Sequence, residues 1–102
     1  MILTGKALDH YKIWFDKYYN DYWTYYQSKP TILNALIIEW FDSVGIYISI
    51  NYIDFYDELR NNTGFETYVT NKGLSVKFRS VSSRQEAIKQ AIEQANEIYN
   101  SK

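Results

Sequence analysis

Nucleophilic catalysis needs a serine or cysteine beside a base, most often histidine, and this chain carries one histidine, His10, and no cysteine. His10 lies at the flank of an aromatic run, where neither a nucleophile elbow nor a glycine-rich phosphate loop accompanies it. A solvated helix residue is its expected role, and no residue is assigned to catalysis. Asp54, Asp57 and Glu58 supply carboxylates, but the segment lacks the glycine and terminal glutamate of a calcium loop. Without cysteine there are no disulfides, thiolates or sulfur-bound zinc sites. The expectation is a protein that is not an enzyme and carries no cofactor or metal.

Aromatic side chains are the residues with most to offer. Nine fall among the sixteen residues from Tyr11 to Tyr26, and Tyr and Trp bury large areas at low entropic cost, which makes them frequent anchors of binding interfaces. Most must pack into the domain's own core. Trp14, Trp23 and Tyr25 fall at or beyond the edge of the apolar arc and are the expected partner contacts. They could equally build an interface between two copies of the chain. Aromatics also stack on nucleobases, so sequestration of a nucleotide-like ligand by an oligomer is the alternative, with Arg60, Lys72, Lys77, Arg79 and Arg84 as candidate phosphate partners.

The elements that would position these residues follow from periodicity. Leu8, Tyr11, Phe15, Tyr18, Tyr19, Tyr22, Tyr25 and Tyr26 recur at spacings of three and four, and with Trp14 they project within an arc of roughly 140° on one continuous helix. Ile13 falls on the polar side. Thr4 suits an N-cap, its hydroxyl accepting from an early backbone N–H. Pro30 ends that helix and suits the first turn of another, in which Leu33, Leu36, Ile37, Trp40, Phe41 and Val44 match helical spacing before Gly45 stops it. The Ile37-Ile38 pair leaves a strand open as the competing reading of Thr31 to Ser43.

Gly45 to Ile53 alternates Ile46, Ile48, Ile50 and Tyr52 against a mixed second face, the pattern of a strand covered by helices on one side. The polar run Asp54 to Thr63 predicts an irregular connection. Phe65 to Thr70 and Leu74 to Ser80 read as strands joined at Asn71-Lys72-Gly73. Ser83-Arg84-Gln85-Glu86 is a capping box opening a helix to about Asn100, with Ala87, Ile88, Ala91, Ile92, Ala95, Ile98 and Tyr99 as its buried stripe. The expected fold is α+β in the order α-α-β-β-β-α, a three-stranded antiparallel meander with helices packed on it, as one domain over residues 1–102.

The segments Asn34 to Ile48 and Ser83 to Asn100 resemble those of small uncharacterised bacteriophage and prophage accessory proteins, over about a third of the chain. That resemblance implies no catalytic motif. It implies the company of short phage proteins that antagonise bacterial defence systems or modulate host enzymes, acting on a host protein. The α-β-β-β-α portion after Pro30 also resembles the element order of a double-stranded RNA-binding domain, but of the basic cluster that opens that module's last helix only Arg84 and Lys89 are present.

Eleven Lys and Arg against twelve Asp and Glu give a net charge of −1, which removes the positive footprint of a general nucleic-acid binder. The longest apolar stretch, Ala35 to Ile38, falls far short of the roughly 20 residues of a membrane span. The N-terminal residues show no secretory pattern, so the cytoplasm of a bacterial host is the expected location. The resulting expectation is a non-enzymatic interaction protein, an inhibitor of a host defence protein in its most specific form.

Overall fold

The computed structural model describes residues 2–19, 23–57, 60–80 and 83–102, and for 53–57, 60–63 and 79–80 the backbone alone. Four helices and three strands run in the order α1 (Gly5–Tyr19), α2 (Trp23–Gln27), α3 (Pro30–Ser43), β1 (Ile46–Asp57), β2 (Arg60–Asn71), β3 (Leu74–Ser80) and α4 (Arg84–Asn100). The strands form one antiparallel sheet in the order β1-β2-β3. Helices pack on one face of it, the α+β meander that the alternating and helical periods imply.

The opening helix is shorter than its sequence period suggests. A continuous helix would hold Tyr11 and Trp23 about 18 Å apart along its axis, yet their ring centroids are 5.8 Å apart. Trp23 and Tyr26 also meet Phe15 at 5.1 and 5.8 Å. The chain therefore doubles back between α1 and α2, exchanging a long aromatic stripe for ring-on-ring contacts. Tyr22, expected on that stripe, lies outside the described residues.

Pro30 opens α3 at its first turn, and Lys29 before it is extended at φ −117° and ψ 90°, the conformation a following proline imposes. At the other end Gly45 sits at φ +84°, donating its N–H to the Asp42 carbonyl at 3.2 Å. The segment is thus helix and not strand. Leu36, Ile37, Trp40 and Phe41 are its buried residues.

A second departure concerns the run Asp54 to Thr63, where an irregular connection is expected and the described parts, Asp54 to Asp57 and Arg60 to Thr63, are strand. The β1–β2 register continues unbroken from Ile46↔Asn71 to Asp57↔Arg60, including Asp54↔Thr63. Polar composition does not prevent backbone pairing, and each paired step extends a ladder already in register. Twelve-residue strands reach about 41 Å, whereas helices of 14–17 residues reach only about 21–26 Å. The hairpin therefore outruns the helices, which accounts for an elongated molecule of 52 × 29 × 18 Å. Glu58 lies outside the described residues.

β2 and β3 are joined by Lys72-Gly73 between the paired Asn71 and Leu74. Both loop residues have positive φ, 52° and 81°, as a type I′ hairpin requires to match strand twist. Inward-facing Ile46, Val69 and Thr67 meet Ala87, Ala91, Ile92 and Ala95 of α4 in the core, where Tyr11, Phe15, Ile37, Trp40 and Phe41 join them. Ser83 caps α4, its hydroxyl accepting from the Glu86 N–H at 3.1 Å.

The cap of α1 comes from a different place than its own sequence suggests. Ala7, fully buried, donates its N–H to Asn100 Oδ1 at 2.8 Å, while Asn100 Nδ2 donates to the Thr4 carbonyl at 2.9 Å. Thr4 itself is held by Asn96: its N–H donates to Asn96 Oδ1, and its hydroxyl accepts from Asn96 Nδ2, both at 3.0 Å. Two amides one turn apart on α4 thus clamp the start of α1. Thr4 does sit at the N-cap position, its carbonyl accepting from the Leu8 N–H at 3.2 Å, but its hydroxyl is taken up by Asn96 and does not accept from the helix.

A candidate interaction surface on the aromatic helices

Tyr11 is the hub of the aromatic network, buried with its ring 5.9 Å from Trp14, 6.1 Å from Phe15 and 5.9 Å from Trp40. Helical spacing places Tyr11 and Phe15 on one face of α1, and the return of α2 brings Trp23 onto the same rings. Its hydroxyl and both amide atoms of Gln27 are buried and unpaired. Burial pushes the Tyr11 phenol up to about 12, the nearby Gln27 amide pulling the other way. An apolar environment disfavours phenolate because no solvent stabilises the charge.

The three residues expected at the surface are distributed around this hub. Trp14 is half-buried, stacked on Tyr11 and 5.7 Å from both Tyr18 and Tyr19. Trp23 is half-buried on the other side, where it shares a groove with Leu8, Lys12, Gln27 and Leu33. Lys12 Nζ stands 5.8 Å over its ring. Tyr25 is 55% exposed and packs edge-on against Tyr26 at 5.2 Å. Ile13 is 68% exposed, as its place on the polar side requires.

Tyr18 corrects the expected buried arc, for it is 60% exposed. Its direction on the helix is the core direction, but it lies in the last turn of α1. There it meets the Trp14 ring and the Lys17 ammonium, 5.4 Å from its centroid. Periodicity fixes the angle at which a side chain leaves the axis but not how far along the axis a covering layer extends.

The basic candidates whose side chains are described, Lys72, Lys77 and Arg84, do not converge. Arg60 and Lys72 stand at opposite ends of β2, about 40 Å apart along a strand of that length. Lys77 is on β3 in an ion pair with Glu66, and Arg84 opens α4 with its guanidinium 5.0 Å over the Phe65 ring. The side chains of Arg60 and Arg79 lie outside the described residues, as do those of Asp54 and Asp57. His10 Nδ1 hydrogen-bonds the Tyr99 hydroxyl at the α1–α4 contact. Burial raises the Tyr99 phenol above its ordinary range. Among the described residues no three His, Asp or Glu side chains gather as metal ligands, and no helix is long and apolar enough to cross a membrane.

Sequence reasoning missed three participants. Glu39 accepts from the Tyr19 hydroxyl at 3.3 Å and raises both Tyr19 and Asp42, in each case after the larger effect of burial. Asn96 and Asn100 were unremarkable polar residues at i, i+4 whose tertiary partners no local pattern reveals. No family model, curated protein or solved structure matches the chain.

Proposed function

We propose that the chain is a non-catalytic interaction protein whose contact surface is the aromatic side of α1 and α2. The observation that carries this reading is the exposure of Tyr25, 55%, and Tyr18, 60%, on a rigid bed of packed rings. Such rings lose little freedom on binding, because the network beneath already fixes them. Trp14 and Trp23 flank them as half-buried supports. The resemblance to phage accessory proteins gives the partner its class, a protein of the bacterial host in whose cytoplasm the chain would act, and inhibition of a defence protein is the specific form. Dispersal of the basic residues along β2, β3 and α4 weighs against the alternative of a sequestered nucleotide.

The test is retention of a host protein on the immobilised full chain. One stoichiometric partner is expected, lost with Tyr25→Ala and kept with Ile13→Ala, which truncates an exposed side chain on the polar side of α1. Retention indifferent to Tyr25, or a thermal shift produced by nucleotides alone, would overturn the reading.

A further inference from the structure

Where the last turn of α1 meets the last turn of α3, a groove of about 290 Å³ is lined by Trp14, Tyr18, Tyr19, Glu39 and Ser43. Three aromatic rings flank it, with Trp14 5.7 Å from Tyr18 at 50° and 5.7 Å from Tyr19 at 57°. The rings are inclined to one another and do not form one flat stack. The one charged side chain in the lining is the Glu39 carboxylate, steadied by the Tyr19 hydroxyl.

Several features make this corner attractive to positive charge. Aromatic faces carry negative quadrupole density. Tyr18 and Tyr19 are the final residues of α1, and Ser43 is the final residue of α3, so two helix C-termini direct their negative dipole ends here. Asp42 lies beside Glu39, which helps raise its carboxyl above the ordinary range in addition to the effect of burial. Among the described residues neither carboxylate has a basic partner in an ion pair. The chain's own Lys17 ammonium already stands over the Tyr18 ring.

We infer that this groove is an aromatic cage for an alkylated ammonium cation, with Trp14, Tyr18 and Tyr19 as its walls and Glu39 as its counter-charge. An unmodified ammonium keeps its strongly held water, and among the described residues no three His, Asp or Glu side chains gather here as the oxygen-rich shell of a metal ion needs. Methylated nitrogen sheds water readily and presents polarised C–H groups to the rings. The inference deepens the proposed interaction surface by giving the partner's chemistry. The two remain separable, because Tyr25 is outside the cage and Tyr18 is in it.

The test is an NMR titration of the full chain with tetramethylammonium chloride, against sodium chloride at equal ionic strength. Saturable shifts confined to the Trp14, Tyr18 and Tyr19 rings are expected, with affinity in the millimolar range. Tyr18→Ala, at an exposed position that leaves the core intact, should weaken binding about tenfold, and Glu39→Gln about threefold. Tyr25→Ala should leave it unchanged. A peptide carrying trimethyl-lysine gives the second arm. Binding at least about tenfold tighter than that of tetramethylammonium, and absent for the unmodified peptide, identifies a partner's side chain as the source; equal affinity identifies a free small cation. Shifts that do not saturate, that sodium reproduces, or that survive Tyr18→Ala undiminished would overturn the cage.

Discussion

Replacing Asn100 with alanine removes the cap that α4 lends to α1, and its cost can be worked from the geometry. The buried Ala7 N–H loses its acceptor at 2.8 Å, and an unsatisfied buried donor costs about 1–3 kcal/mol. The Thr4 carbonyl loses a bond of 2.9 Å, but Thr4 is exposed, so water replaces most of it and the further loss is about 0.5 kcal/mol. The total is about 2 kcal/mol, at the upper end for loss of an N-cap. Equilibrium urea unfolding should show a lower midpoint with the slope unchanged, since the same surface is buried. For a domain near 100 residues the melting temperature should fall by about 8–16 °C. Asn100→Asp keeps an acceptor for Ala7 and adds negative charge at the start of α1, but it loses the donor to the Thr4 carbonyl and charges the C-terminal end of α4, so it should fall between the parent and Asn100→Ala. An Asn100→Ala variant within about 0.5 kcal/mol of the parent would refute the tertiary cap.

Lys72 adopts φ 52° in the β2–β3 turn, a left-handed conformation that asparagine tolerates better, so Lys72→Asn should raise stability by about 0.5–1 kcal/mol in the same unfolding assay. Tyr11 has its phenol raised to about 12 from an ordinary 10; because the folded state resists ionisation, its contribution is complete below pH 10 and is lost as pH rises from 10 through 12. Stability measured across that interval should fall by up to about 2–3 kcal/mol, with a shallower fall in Tyr11→Phe. At neutral pH Tyr11→Phe also deletes a buried hydroxyl without a partner and should be neutral or stabilising by up to about 1 kcal/mol.

Much of the framework was legible because local signals and tertiary structure agree. The Ser83 capping box, the proline before α3, the alternation of Ile46, Ile48 and Ile50 and the Lys72-Gly73 turn each state a backbone conformation that the structure adopts. The misreadings share a physical origin. A spacing of three and four continues formally from Leu8 to Tyr26, but it does not register that the chain can reverse and stack Trp23 on Tyr11. Composition marked Asp54 to Thr63 as loop, whereas the backbone ladder pairs Asp54 to Asp57 with Arg60 to Thr63.

The surface was half legible for the same reason. Trp14, Trp23 and Tyr25 stood out by their angle on one continuous helix. Trp14 and Trp23 are half-buried against the core and Tyr25 is exposed, but on two helices and not one, so their places follow from packing and not from that angle. Tyr18 and Glu39 did not stand out. One lies on the core side at the end of a helix, and the other belongs to a different element whose approach to Tyr19 depends on the packing of α3 against α1.

Contact of a partner with the exposed aromatic rings of α1 and α2 is measurable by calorimetric titration of the retained host protein. Truncating a central anchor costs about 2 kcal/mol or more, so Tyr25→Ala should weaken the complex by about thirtyfold. Ile13→Ala, exposed on the polar side of α1, should change affinity by less than about threefold. Equal affinity for the parent and the Tyr25 variant, with both chains folded, would contradict the claim.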